Sequence, residues 1–153
     1  MIAVIQRDNN APIYADVELN GEIKKGLYIL LGVINGDEKR DAELLADKIA
    51  KCRVFCDEND KMNLSCQDIS GEVMVVSNFT LGANYKHGNR PDYFASASPD
   101  DANMLYEYFI ELMKQRTVKV ATGKFGADMR TEMSTDGPVT IVMDSQVLRG
   151  NKK

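Results

Sequence analysis

One short segment of the chain joins a turn to an apolar strand. Residues 135–140 read Thr-Asp-Gly-Pro-Val-Thr, and an apolar run begins inside the segment at Val139. Proline has no N–H and a fixed φ, and glycine tolerates unusual backbone angles, so Gly137-Pro138 could hold free carbonyl oxygens in a fixed direction. An X-Pro bond is also the one place where a cis peptide costs little. The same spacing fits a strand whose first residue is proline, and that interpretation stays open.

A second segment offers hydroxyl groups and an amide at the end of another apolar run. It reads Ser77-Asn78-Phe79-Thr80-Leu81. The single histidine, His87, has no partner at metal-ligand spacing, and no glycine-rich phosphate loop occurs. A serine or cysteine nucleophile would need that same histidine as its base. Any catalysis should therefore use backbone groups, hydroxyls and the substrate itself.

The composition predicts one globular domain without a metal. The chain has 153 residues, of which 44% are apolar and 27% charged. We expect a single domain over residues 1–147 and a tail over residues 148–153. No run approaches the ~20 apolar residues of a membrane helix, and the start does not resemble a secretory signal, so we expect a cytoplasmic protein. Cys52, Cys56 and Cys66 fit neither a zinc site nor a disulfide framework.

The charge distribution restricts where a nucleic acid could bind. The formal net charge of −4 argues against a protein that coats nucleic acid through a general positive field. Lys86, His87 and Arg90 nevertheless form a local basic patch in an irregular stretch over residues 82–97. Loops of this length usually have a function. We expect any RNA contact to be confined to this end of the molecule.

The elements that must position these segments alternate between strands and two main helices. Helix signals cover residues 37–51 and the region after Ser98, where Pro99 fits the first helical position. Asn20-Gly21 is a strong signal for a tight turn. The predicted strands are residues 1–7, 13–19, 22–24, 27–34, 53–55, 72–79, 118–122, 129–134 and 139–147. This pattern predicts a layered α/β domain with mixed sheets.

Six segments in order resemble the D-aminoacyl-tRNA deacylases, the family of D-tyrosyl-tRNA deacylase. The resemblance runs from Met1 to about Ser145. The segments are MIAVIQR at residues 1–7, GLYILLGV at 26–33, KMNLS at 61–65, SNFTL at 77–81, GKFGADM at 123–129 and DGPVT at 136–140.

The resemblance implies a barrel-like α/β fold and a homodimer that hydrolyses the ester between a D-amino acid and the terminal adenosine of tRNA, without a cofactor. The family's pocket segment corresponds to Ser77, Asn78, Phe79 and Thr80. In that family the Gly-Pro pair, here Gly137-Pro138, enters the pocket of the other subunit with a cis peptide. The remaining implied site residues are Arg7, at the pocket or the tRNA end, Met129, at the substrate, and Lys86, His87 and Arg90, at tRNA phosphates. An exposed arginine at the end of a strand is the alternative for Arg7.

That assignment has a physical rationale. With the α-ammonium and the ester carbonyl both held, an L side chain would collide with the protein wall, whereas a D side chain would project outward and glycine would be accepted. No titratable group near Thr80 in the sequence could activate it as a nucleophile. We therefore expect the ribose 2′-hydroxyl to assist water while N–H groups near Phe79 and Thr80 stabilise the oxyanion. Thr80 would position the substrate, or serve only as a strand former.

Two departures from the family pattern affect this expectation. Asn78 stands where the family usually has glutamine, and Thr135 stands where asparagine commonly precedes the Gly-Pro motif. Both residues keep a hydrogen-bonding group, so we expect a changed rate or preference. Two other functions remain open: a binding module that has lost activity, and a hydrolase of small D-amino-acid esters.

Overall fold

The computed structural model describes residues 1–150 of the chain. Three helices are present, α1 (Lys39–Ala50), α2 (Pro99–Lys114) and the short α3 (Ser145–Leu148), together with a 3₁₀ turn at Phe79–Gly82. The strands are β1 (Ile2–Asp8), β2 (Ala11–Ala15), β3 (Glu18–Ile23), β4 (Gly26–Gly32), β5 (Phe55–Cys56), β6 (Met62–Leu64), β7 (Glu72–Ser77), β8 (Lys119–Thr122), β9 (Met129–Thr131) and β10 (Thr135–Asp144).

A mixed five-stranded sheet in the order β10-β1-β4-β7-β8 forms the centre of the molecule. β1 is antiparallel to β10 and β4, whereas β4, β7 and β8 are parallel. Helices α1 and α2 cover one face, where Leu45 and Phe109 pack with Ile29. The second sheet, in the order β3-β2-β9, covers part of the other face. The predicted layered α/β fold with mixed sheets is confirmed.

The start of α2 agrees with its sequence signal. The Ser98 hydroxyl accepts a hydrogen bond from the Asp101 N–H at 3.3 Å, and Pro99 is the first helical residue. Asp100 and Asp101 lie in the first turn, where the helix dipole favours negative charge. Because the cap fixes where this helix begins, it also fixes the end of the long loop that precedes it.

The predicted turn at Asn20-Gly21 is wrong. The chain reverses direction earlier in the sequence, at Asp16 and Val17, whose φ angles are 48° and 76°. The Asn20 side chain instead donates to the Thr122 carbonyl at 2.7 Å. A Cβ on Gly21 would lie 3.4 Å from the Ala121 Cβ, so this glycine lies inside β3, at its close approach to β8.

The predicted C-terminal strand is displaced. β10 begins at Thr135, so Gly137-Pro138 lies inside the strand, and residues 145–148 are helical. The Asp144 carboxylate caps this helix by accepting the Gln146 N–H at 2.9 Å. Arg149, which belongs to the predicted tail, donates to the buried Asp41 carboxylate. Residues 151–153 of the predicted tail lie outside the described residues, and the domain boundary remains a prediction.

Asp8, at the end of β1, has a buried carboxylate with an unusual environment. The residue is fully buried, and neither carboxylate oxygen has a hydrogen-bond partner among residues 1–150. Burial raises the pKa of Asp8 from 3.8 to about 6. Its neighbour Arg7 points elsewhere and makes contacts that are described below.

This environment gives a pH-dependent stability. Because the folded protein holds the Asp8 proton more tightly, the stability that this group contributes falls as the pH rises from about 4 to about 6. We expect Asp8→Asn to gain on the order of 2 to 3 kcal/mol relative to the parent chain between pH 4 and pH 7. Urea unfolding of both proteins at each pH measures this difference, and parallel pH profiles would contradict it.

Candidate active site

A cleft of about 570 Å³ opens at the carboxyl end of β7. Apolar groups make up most of its wall, as is usual for small-molecule sites. Its lining residues are Val33, Ser77, Asn78, Phe79, Tyr93, Ser96, Ala97, Pro99, Ala102, Phe125, Gly126, Ala127, Asp128 and Met129. Of the predicted site residues, the structure brings Ser77, Asn78, Phe79 and Met129 together here.

Asn78 organises the turn that follows β7. Its backbone N–H donates to the Leu31 carbonyl at 2.8 Å, which ties it to β4. Its side-chain oxygen accepts the Thr80 N–H at 3.2 Å and the Thr80 hydroxyl at 2.5 Å. The asparagine that departs from the family pattern thus caps the 3₁₀ turn. Thr80 itself lies at the edge of the cleft, outside the residues that line it.

These bonds correct one part of the predicted oxyanion site. The Thr80 N–H is already bound to Asn78, so it is not a free donor. The Phe79 N–H has no acceptor within hydrogen-bonding distance among residues 1–150. Of these two N–H groups, only that of Phe79 therefore stays available to a ligand.

The position of Phe79 is fixed by the long loop. The Ser96 hydroxyl donates to the Phe79 carbonyl at 2.7 Å. The Tyr93 ring meets the Phe79 ring edge-on, with 5.1 Å between ring centroids. Even so, 58% of the Phe79 surface is exposed, which leaves the ring free to stack on a base.

Gly137-Pro138 lies at the other end of the central sheet. Strand pairing shows this: Ser77 of β7 lies opposite Leu31 of β4, which lies opposite Ala3 of β1. Ala3 lies in turn opposite Met143, so the cleft is level with the carboxyl end of β10. Gly137 lies six residues before Met143, which corresponds to about 20 Å along the strand. The Gly137-Pro138 pair of one chain therefore cannot reach the cleft of that same chain.

The surroundings of Gly137-Pro138 leave the pair accessible and well supported. Its peptide bond is cis, and both residues are exposed. The pair bulges from edge strand β10 at the register shift opposite Arg7. Arg7 donates from Nε to the Asp136 carbonyl at 2.9 Å and from Nη1 to the Val54 carbonyl at 2.7 Å. Arg7 thus fixes the residue that precedes the pair, at a distance from its own cleft.

The basic residues predicted at the tRNA lie on the loop beside the cleft. Lys86, His87 and Arg90 are all exposed, and none of them lines the cleft. Their proposed role in phosphate binding stays a prediction.

Sequence reasoning missed a large part of the cleft wall. Phe125 and Asp128 belong to a segment that carried the family resemblance, so a signal for them existed. Tyr93 and Ser96 had no such signal, because their place in the wall depends on how the loop folds back onto residues 33–35. Two backbone bonds show that fold: Asn35 N–H to the Ala95 carbonyl at 2.8 Å and Ala97 N–H to the Val33 carbonyl at 3.0 Å.

Comparison with known proteins assigns this chain to a family. Residues 4–144 match the family model described as D-Tyr-tRNA(Tyr) deacylase. This chain belongs to that family. A D-aminoacyl-tRNA deacylase of Thermosipho melanesiensis is 48% identical over 95% of this chain and 98% of its own length. One from Clostridioides difficile is also 48% identical, over 95% of this chain and 97% of its own length.

Solved structures agree with the deacylase family fold. A protein described as a c-Myc DNA unwinding element binding protein superposes with a TM-score of 0.89 at 35% identity, covering 94% of this chain and 98% of its own. A probable eukaryotic D-amino acid tRNA deacylase superposes with a TM-score of 0.83, covering 93% and 97%. Its sequence is only 11% identical, so it supports the fold alone.

Proposed function

We propose that this protein hydrolyses the ester bond of D-aminoacyl-tRNA and releases the free D-amino acid and tRNA. The family assignment and the apolar cleft beside an exposed Phe79 support this activity. The terminal adenosine would stack on Phe79, and the aminoacyl group would enter the cleft. An enzyme that acts on tRNA would work in the cytoplasm. Among residues 1–150, no helix is both long and apolar enough to cross a membrane.

The observation that carries the proposal is the separation of Gly137-Pro138 from the cleft of its own chain. Gly137-Pro138 is exposed and rigidly supported at one end of the sheet, and the cleft is open at the other end. The pair of one copy could therefore enter the cleft of a second copy. In a two-fold homodimer the same contact would form twice, so each cleft would receive the pair of the other subunit. The active site would then exist only in the dimer.

The face of the central sheet beside β10 is suited to such a dimer. Val142 is 68% exposed and lies directly opposite Val4, on the part of the sheet that the second sheet leaves open. Val4 lies in turn opposite Leu30, so three apolar side chains form a row across the strands. A two-fold axis that crosses β10 between Gly137 and this row would bring the pair of one subunit toward the cleft of the other.

Chiral selection in this composite site would be steric. The carbonyl oxygens next to Pro138 would accept the α-ammonium group, and the Phe79 N–H would bind the ester carbonyl. With both groups held, the side chain of an L-amino acid would meet the wall, whereas that of a D-amino acid would point outward. Glycine has no side chain to reject, so glycyl-tRNA would also be hydrolysed.

Ester cleavage would depend on the substrate's own ribose. The 2′-hydroxyl lies next to the ester and would assist the attack of water, while the Phe79 N–H stabilises the negative charge that develops on the carbonyl oxygen. Thr80 does not suit the role of nucleophile, because its hydroxyl proton is directed at Asn78, an amide that cannot act as a base. Thr80 would instead keep the 3₁₀ turn in position.

Replacing Thr80 by valine distinguishes a nucleophile from a residue that only holds the 3₁₀ turn in position. We expect Thr80→Val to lower kcat by less than about 10-fold, because it removes one hydrogen bond of the turn and no reacting atom. Single-turnover deacylation of D-tyrosyl-tRNA measures the effect. A loss of about 1000-fold or more would show that the hydroxyl takes part in the chemistry.

Matched D- and L-tyrosyl-tRNA test the proposed activity itself. Rapid release of D-tyrosine with slow release of L-tyrosine is the expected result. A protein that binds both tRNAs without turnover would be a binding module. Equal turnover of D-tyrosine ethyl ester and D-tyrosyl-tRNA would indicate a hydrolase of small esters. Either outcome would overturn the proposal.

A further inference from the structure

A second groove is lined by the residues that follow the 3₁₀ turn and by part of the long loop. It has a volume of about 660 Å³, and Tyr85 and Phe94 both line it. These rings are 79% and 87% exposed, unusually high values for large apolar side chains. Ala95 lines this groove and the adjacent Ser96 lines the cleft, so the two sites are neighbours.

The backbone that carries both rings is held firmly. Asn84 and Asp92 exchange two backbone hydrogen bonds of 2.8 and 3.0 Å, and the Asn84 amide donates to the Asp92 carboxylate at 2.9 Å. The Phe94 carbonyl accepts a bond from the Asn35 side chain at 2.8 Å. The rings are therefore presented to solvent from a fixed frame, which is the arrangement of a preformed binding platform.

The charges around the groove favour an anionic ligand. Residues 82–97 include Lys86, His87 and Arg90 and a single acidic residue, Asp92, in a chain whose net charge is −4. The Asp92 carboxylate is occupied by the Asn84 amide and the Phe94 N–H. Exposed aromatic rings beside cationic side chains are the combination that binds single-stranded nucleic acid, by stacking and by phosphate contact.

We propose that this groove binds the unpaired nucleotides that precede the terminal adenosine of the tRNA, with bases stacked on Tyr85 and Phe94. The inference rests on the proposed function, which makes tRNA the ligand. The adjacency of the cleft and the groove sets the path of the nucleotide strand. The terminal adenosine stacks on Phe79, and the preceding strand crosses the Ser96 segment into the groove. Because every tRNA carries two cytosines before the terminal adenosine, two stacking rings would serve all tRNA substrates alike.

A labelled CCA trinucleotide tests the groove without any turnover. We expect Phe94→Ala and Tyr85→Ala each to weaken its binding about 10-fold, the scale of base stacking on one ring, and Phe94→Trp to preserve it. Val118→Ala is the matched control, because Val118 is 64% exposed and lies near the opposite end of the sheet. A trinucleotide with abasic sites in place of both cytosines should bind about 100-fold more weakly, the combined effect of the two rings, while keeping its phosphates.

Three outcomes would overturn the inference. The alanine variants could bind the trinucleotide as tightly as the parent chain. The abasic trinucleotide could bind as well as the intact one. The variants could instead become monomeric by light scattering and lose adenosine and trinucleotide affinity equally, which would place the rings in a protein interface.

Deacylation of D-tyrosyl-tRNA is measured separately and keeps the two proposals distinct. Ring-dependent trinucleotide binding without ester hydrolysis would refute the proposed function and support the groove. Hydrolysis that is unchanged in both ring variants, with unchanged trinucleotide binding, would refute the groove and leave the function standing.

Discussion

Replacing Gly137 by alanine is expected to lower kcat/KM for D-tyrosyl-tRNA by about 100-fold or more, with the fold intact. A Cβ at this position would lie 2.1 Å from the Val139 backbone nitrogen, so the main chain must move. The carbonyl oxygens proposed to hold the α-ammonium would move with it. Because the residue is exposed on an edge strand, we expect little change in melting temperature. Steady-state kinetics and thermal unfolding together measure both effects.

Gly21→Ala is the matched control for this prediction. A Cβ on Gly21 meets its nearest neighbours at 3.4 Å, which is ordinary contact, and the residue lies in β3, outside the residues that line the cleft. This variant should keep the parent activity. Full activity in Gly137→Ala would show that the geometry of this pair does not matter for catalysis.

Replacing Arg7 by lysine is expected to lower kcat/KM by about 10- to 100-fold. The guanidinium bridges two backbone carbonyls, those of Asp136 and Val54, from two different nitrogens, and it also forms an ion pair with the Asp136 carboxylate at 3.2 Å. A single ammonium cannot span both carbonyls in the same way. The segment that leads into Gly137-Pro138 would lose its support, at a cost in stability of about 2 kcal/mol.

Arg53→Lys controls for the general effect of this exchange. Arg53 also donates from Nε to a backbone carbonyl, that of Asn63 at 2.8 Å, but it is exposed and that bond does not involve β10. We expect its activity to match the parent chain. If Arg7→Lys loses stability yet keeps kcat/KM, Arg7 supports the fold alone and not the proposed site.

The segments with strong local signals were predictable from the sequence. The capped start of α2 and the apolar run of β7 that ends at Ser77 follow from residue types and spacing. The turn at residues 16–17 was not predictable, because Asn20-Gly21 carries a stronger turn signal and its actual role is a contact with β8. At Asn20-Gly21, packing against β8 outweighed the local preference for a turn.

The candidate site also has parts that were predictable from the sequence and parts that were not. The segment from Ser77 to Thr80 was marked by its polar groups at the end of an apolar run and by the resemblance, and the structure places Ser77, Asn78 and Phe79 in the cleft wall. The capture of the Thr80 N–H by Asn78 could not be foreseen, since it depends on side-chain geometry within the 3₁₀ turn. Tyr93, Ser96 and the aromatic groove depend on the path of an irregular loop, which no periodic pattern specifies.

The central claim is that one subunit supplies the cleft and the other supplies Gly137-Pro138. Mixing two impaired variants tests it most directly, under conditions that allow subunits to exchange: Phe79→Ala, which lacks the ring proposed to stack on the adenosine, and Gly137→Ala. Each mixed dimer would contain one intact site, so an equal mixture should recover about a quarter of the parent activity on D-tyrosyl-tRNA. If exchange is verified and activity stays at the sum of the two separate variants, the site lies within one chain and the account is wrong.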